Sequence, residues 1–202
     1  YPARTPVPFK EGDLWNGYPE PVTAPYGLAK RMLLVQGQVY AQQYGFDSAH
    51  LLMANLYGPG DHYDPRNAHV IPMLIEKCLM ALDTGCTMIE CWGDGSPTRD
   101  FLYVEDAAGA VVRALQTDTG PDPINVGTGN ETSILRVTRM MMKEKGFYVA
   151  DAWNTYHPNG QQRRCVDVGR AKRVLGFSAQ TTLDEGIPKA VEWQRQHRQC
   201  TT

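Results

Sequence analysis

Residues 25–60 read PYGLAKRMLLVQGQVYAQQYGFDSAHLLMANLYGPG, a helix followed by a buried strand and a glycine-proline break. Thr23 can cap the helix, Pro25 suits its first turn and Gly45 can close it. Met32, Val35 and Val39 continue a stripe from Leu28. Leu33, Gly37 and Ala41 form a second stripe, so the pattern predicts burial on two sides. One side fits a sheet. The other fits either a second copy of the chain, with Gly37 permitting close approach, or an ordinary intrachain neighbour. Tyr26 and Lys30 are four residues apart and share a helix face. A free phenol titrates near pH ~10, and a nearby ammonium favours its ionised form. Such a pair can pass a proton to and from a hydroxyl or carbonyl. Taken alone, Tyr-x-x-x-Lys is more commonly a surface tyrosine and a solvated lysine.

The run His50-Leu51-Leu52-Met53-Ala54-Asn55-Leu56-Tyr57 begins apolar throughout, as a strand buried on both faces does. Strand ends line the ligand crevice of open α/β sheets, which places Asn55 for a ligand. A turn-bonding asparagine is the alternative. Residues 1–25, rich in Pro and Gly, read as a long loop leading to the helix.

The 202 residues suffice for one domain with a core or for two small ones, and the net charge is −2. That balance predicts no general nucleic-acid surface. No apolar run approaches the ~20 residues of a membrane span, and no signal-peptide pattern is visible. Cys78, Cys86, Cys91, Cys165 and Cys200 lack disulfide or zinc spacing. They read as reduced thiols of a cytoplasmic protein. No metal site is expected.

Further along, Asn67-Ala68-His69 opens a helix through Val70, Leu74 and Cys78, with His69 at its mouth. A lone histidine there is more often a capping residue than a catalyst. Strands are predicted at Met88–Trp92 and Arg99–Val104, around a Gly93–Pro97 turn. Trp92 could stack on a base and Arg99 could hold a phosphate, although a core tryptophan and a surface salt bridge fit the residues as well. A helix follows from Glu105, then a short strand Ile124–Val126 and Gly127-Thr128-Gly129, a weak phosphate-loop signal. Ser133 caps a helix ending at Gly146. Val149–Trp153 reads as a strand and His157-Pro158-Asn159-Gly160 as a loop. Arg163 and Arg164 suit a phosphate or a solvated pair. Helices at Ala171–Leu175 and from Thr182 complete the chain, and its polar tail is expected to fray.

Taken in order, these segments resemble the extended short-chain dehydrogenase/reductases, and among them the GDP-L-fucose synthases, which are GDP-4-keto-6-deoxymannose 3,5-epimerase/4-reductases. The resemblance rests on Tyr1-Pro2, Pro25–Lys30, Asn55-Leu56-Tyr57-Gly58-Pro59 and Asn67-Ala68-His69-Val70-Ile71-Pro72. It continues through Trp92-Gly93-Asp94-Gly95, Arg99–Asp106 and Ile124–Gly129. It implies an α/β fold: the carboxy-terminal part of a Rossmann domain over residues 1–66, and a small substrate-binding domain over 67–202. Residues 99–116 would return to the Rossmann sheet. It implies that Tyr26 gives a proton to the 4-keto oxygen as hydride arrives from NADPH, with NAD(H) as the alternative cofactor. Lys30 would bind the nicotinamide ribose and assist Tyr26. His69 would reprotonate the sugar during epimerisation. Asn55 would touch the sugar, and Trp92, Arg99 and Arg164 the nucleotide and its diphosphate. A homodimer through the 26–44 helix would follow.

The same resemblance puts the glycine fingerprint, the catalytic serine and the epimerisation cysteine before Tyr1. On that reading the 202 residues would not turn over alone. Val22-Thr23-Ala24 departs from the usual T-N-E ahead of the tyrosine. Two rivals stay open. One is a 4-epimerase or 4,6-dehydratase acting on UDP- or dTDP-sugars. The other is a sugar-nucleotide-binding module without catalysis.

Overall fold

The computed structural model describes residues 1–64, 66–144, 146–147 and 149–198. The leading loop is more ordered than its composition suggests. It holds two 3-10 turns, Glu11–Trp15 and Pro21–Thr23, and pairs its Phe9 with Val166. Helix α1 then runs Ala24–Tyr44 and stops at Gly45, whose φ of 63° lies in the left-handed region that glycine adopts without cost. Thr23 occupies the N-cap position but makes no capping bond with its side chain.

The expected burial of both α1 stripes is corrected. Only Ala24 and Leu34 are buried, while Leu28, Met32, Leu33, Val35 and Val39 stay exposed. The reason is geometric, because few described residues reach this helix. They include Gly17, which accepts from the Arg31 Nη1–H (3.0 Å), and Pro121, which accepts from Gln38 Nε2–H (3.2 Å). Gly37 does permit close approach, but of the His50 ring of the same chain.

The predicted strand 49–57 is two strands. β1 (Leu51–Met53) pairs in parallel with β6 (Ile124–Val126), and β2 (Asn55–Tyr57) pairs in parallel with β5 (Phe101–Tyr103). The switch falls at Ala54. Its N–H donates to Val126 (2.8 Å), and the next N–H, from Asn55, donates to Asp100 (3.1 Å). The residues of β1 are half-buried rather than enclosed on both faces.

Between these strands, α2 (Val70–Thr84) leads to β3 (Met88–Trp92), which pairs in parallel with β8 (Ala150–Asn154). The predicted strand 99–104 divides as well. β4 (Thr98–Arg99) lies between β7 (Thr132–Ser133, antiparallel) and β9 (Arg163–Arg164, parallel), and β5 follows it. Helix α3 (Val104–Leu115) then takes up Val104, and Glu105 and Asp106 favour its first turn. Helix α4 (Ile134–Met141) is capped by Ser133, whose Oγ accepts from the Arg136 N–H (3.2 Å), and it ends before Gly146. Helices α5 (Gly169–Leu175) and α6 (Leu183–His197) complete the fold. The polar tail and Cys200 fall outside the described residues.

Two cores hold these elements. One joins α2, α4 and α6 through Ile71, Ile75, Val137, Met141, Ile187 and Val191. The other gathers Leu102, Ala110, Ile124, Val126, Leu175 and Phe177 under β1, β5 and β6. The architecture is α/β, with its strand pairs parallel except β4–β7. No helix among the described residues is long and apolar enough to cross a membrane.

Candidate functional site

A cavity of about 320 Å³ opens between β2, α2, β3, β4 and β9. Asn55, His69, Trp92, Arg99 and Arg164 all line it, although up to 109 positions separate them in the chain (164 − 55).

Each is delivered by the end of an element. Asn55 begins β2 and donates from Nδ2 to the Asp100 carbonyl (3.0 Å), which turns its side chain toward β4. His69 precedes α2 with extended backbone and makes no capping bond with its side chain. Trp92 ends β3 and is 56% exposed.

Arg99 and Arg164 face each other in register across the β4–β9 pair. Two guanidinium groups side by side repel unless an anion lies between them. Burial, and then Arg164, disfavour the charged form of Arg99. Among the described residues neither arginine has a carboxylate partner, whereas Arg66, Arg163, Arg170 and Arg198 each do. Arg99 Nη1 donates to its neighbour's carbonyl on Thr98 (2.7 Å), and Arg164 Nε to Gln161 Oε1 (2.7 Å). Strand alternation sends Arg163 the other way, where it grips Glu131 with two nitrogens (2.9–3.1 Å). Two guanidinium groups that no described carboxylate neutralises therefore line one cavity, an arrangement whose chemistry suits an anion.

The cavity has further walls that sequence reasoning missed. Asn159 lines it, and its Oδ1 accepts from the Asp94 N–H (3.0 Å). The imidazole of His157 stacks on Trp92. Both lie in a stretch whose only sequence signal is that of a turn. Asp100 was missed because the sequence placed it inside one continuous strand, Arg99–Val104, where nothing marks a buried carboxylate. It is buried, and it accepts from the Thr128 N–H (3.0 Å), the Thr128 Oγ1–H (2.6 Å) and the Gly129 N–H (3.0 Å). This counts against the phosphate-loop reading of Gly127-Thr128-Gly129, because the Thr128 and Gly129 amides already donate to an internal carboxylate.

Tyr26 and Lys30 lie apart from this group. They occupy the first turns of α1 and are not among the cavity walls. Tyr26 is 68% exposed, and the Lys30 ammonium stands 5.5 Å from its ring centroid. Their pairing follows the expected helix geometry.

Residues 1–127 match the family described as NAD dependent epimerase/dehydratase. The chain is 33% identical to a probable GDP-L-fucose synthase 1 of Oryza sativa subsp. japonica, with 96% of this chain and 58% of that protein aligned. It is 36% identical to a GDP-L-fucose synthase of Sinorhizobium fredii, over 95% of this chain and 61% of that one. The chain thus spans about three-fifths of the length of these relatives. Among solved structures, a GDP-L-fucose synthetase from Naegleria fowleri superposes with a TM-score of 0.88 at 27% identity, covering 98% of this chain and 62% of that one. A UDP-glucose 4-epimerase from Thermotoga maritima superposes with a TM-score of 0.82, also at 27% identity, over 98% of this chain and 61% of that one. With its strand order, its tyrosine–lysine helix and a family match over residues 1–127, the chain belongs to the NAD dependent epimerase/dehydratase family.

Proposed function

We propose that these residues form the substrate-binding part of an NADP(H)-dependent epimerase/reductase that converts GDP-4-keto-6-deoxymannose to GDP-L-fucose. The observation that carries the reading is the in-register pair Arg99–Arg164 inside one cavity with Trp92, Asn55 and His69. Trp92 takes the base, the two arginines take the diphosphate, and Asn55 and His69 meet the sugar. A 4-keto group acidifies the protons at C3 and C5. Epimerisation then needs a proton returned to the opposite face, and an imidazole suits that task near neutral pH. The fucose synthases among the relatives favour GDP over other nucleotides.

Tyr26 and Lys30 offer a phenol and an ammonium to the carbonyl being reduced and to the nicotinamide ribose. The bound cofactor would supply the hydride, and NADP is present in one related fucose synthetase structure. The Thr128 and Gly129 amides are not open to the cofactor's phosphates, since both donate to Asp100. The division into residues 1–66 and 67–202, with 99–116 returning, is supported by the β2–β5 pairing. The exposed stripes of α1 support a homodimer through residues 26–44. The free thiols Cys78, Cys86, Cys91 and Cys165 suit the cytoplasm.

The test is a thermal-shift panel with GDP, UDP, dTDP and NADPH, run on the chain and on its Arg99→Met and Arg164→Met variants. A ligand that binds only the folded state raises the melting temperature. GDP should raise it, and either variant should weaken that response at least tenfold in concentration. A response to UDP or dTDP in place of GDP would transfer the site to the 4-epimerases and 4,6-dehydratases. No response to any nucleotide would remove the reading.

A further inference from the structure

The imidazole of His157 lies nearly flat on the indole of Trp92, with centroids 4.3 Å apart and planes 16° from parallel. Trp92 borders the cavity, and His157, stacked on it, is not among the cavity walls. The loop that carries His157 is fixed without help from its ring. Asn159 Oδ1 accepts from the Asp94 N–H (3.0 Å), and Gln162 Nε2 donates to Ser96 Oγ (3.0 Å). The bare Cα of Gly93 leaves room for the Asn159 side chain, which any Cβ there would strike. From α2, the Lys77 ammonium stands 5.7 Å from the indole centroid and donates to the Glu90 carbonyl (2.6 Å).

A half-exposed tryptophan at a strand end has several rotamers open to it, and a ligand that stacks on it must select one. A ring already stacked behind the indole makes that selection before the ligand arrives. We infer that His157 is a positioning residue for the nucleobase: it backs the Trp92 indole so that its cavity side forms a ready platform. The inference rests on the reading that Trp92 takes the base. It predicts a three-layer stack of imidazole, indole and base in the complex. An aromatic pair of this kind carries about a 2- to 10-fold effect on affinity.

Calorimetric titration with GDP and with inorganic pyrophosphate tests it, on the chain and on His157→Ala, His157→Phe and Trp92→Ala. His157→Ala should weaken GDP about 2- to 10-fold and leave both pyrophosphate affinity and melting temperature unchanged. His157→Phe should restore GDP binding, because it keeps the flat ring and drops the ring nitrogens. Equal GDP affinity in His157→Ala, where Trp92→Ala weakens it, overturns the inference and leaves the base reading intact. Unchanged GDP affinity in Trp92→Ala overturns both. A His157→Ala chain that loses pyrophosphate as well, or a His157→Phe chain that stays weak, shows a loop defect rather than lost positioning and also overturns the inference.

Discussion

Asp100 lies between β4 and β5, whose Arg99 and Phe101 line the cavity, and replacing it with alanine is a direct test of how the site is held. Its carboxylate receives the Thr128 N–H at 3.0 Å, the Thr128 hydroxyl at 2.6 Å and the Gly129 N–H at 3.0 Å. The residue is 1% exposed, so water cannot replace these bonds. A hydrogen bond to a charged group contributes about 1.5–3 kcal/mol, and each buried N–H left unpaired costs about 1–3 kcal/mol. These terms overlap, and breaking one such buried charge network typically costs about 3–5 kcal/mol in total. In a chain of 202 residues that corresponds to a fall in melting temperature of roughly 6–20 °C. Asp100→Asn retains an oxygen for both Thr128 donors but turns an amide N–H₂ toward the Gly129 N–H, so its loss should be intermediate, about 1–3 kcal/mol. Urea denaturation of the three proteins reads these values directly. An alanine variant within about 1 kcal/mol of the unaltered chain would refute the assignment of Asp100 as the anion that fills the 127–129 loop.

Three other outcomes follow from the packing and the titratable groups. Gly186 lies against the phenol of Tyr57, which is 1% exposed. Gly186→Ala should therefore lower stability by about 1–3 kcal/mol despite the better helix propensity of alanine, and a raised urea midpoint would contradict this packing. Burial lowers the pKa of His50. The unfolded chain then binds this proton first, so stability should decline as pH drops below about 6.5. His50→Gln should flatten that part of the pH profile, and an unchanged slope would count against it. Among the described cysteines, Cys86 is exposed, whereas burial pushes the thiols of Cys78 and Cys165 up to about 12. Alkylation at pH 8 followed by peptide mass spectrometry should modify Cys86 well before Cys78, Cys91 or Cys165.

Much of the fold was legible because punctuation and periodicity agreed. Pro25 and Gly45 bracket α1, Gly176 ends α5, and Ser133 caps α4 where its hydroxyl is needed. The failures have a common cause in long-range pairing. Nothing local marks Ala54 as the point where one strand leaves Val126 for Asp100. Nothing in Arg163-Arg164 suggests a strand, since two polar residues carry no periodicity and are held in extended form by β4. The apolar residues of α1 predicted burial from their spacing, but burial depends on neighbours, and few of the described residues reach that helix.

The candidate site divides in the same way. Asn55, His69, Trp92 and Arg99 drew notice at predicted element boundaries and Arg164 through the resemblance, and all five line one cavity. Their convergence on one cavity is a property of pairing rather than of composition. The arginine doublet makes the point. The residues alone left Arg163 and Arg164 as one pair with one fate, and only the family resemblance singled out Arg164. The β4–β9 register separates them, sending Arg163 to Glu131 and setting Arg164 beside Arg99. The facing charge pair thus forms between residues 65 positions apart (164 − 99), while the adjacent pair points in opposite directions. A phosphate site read from neighbouring basic residues would have assigned both arginines of the doublet. Strand geometry allows one of them and supplies the second from elsewhere. If an anion does bridge Arg99 and Arg164, then Arg163→Met should leave GDP affinity unchanged while Arg164→Met weakens it, and equal losses in the two variants would show that net charge rather than register governs binding.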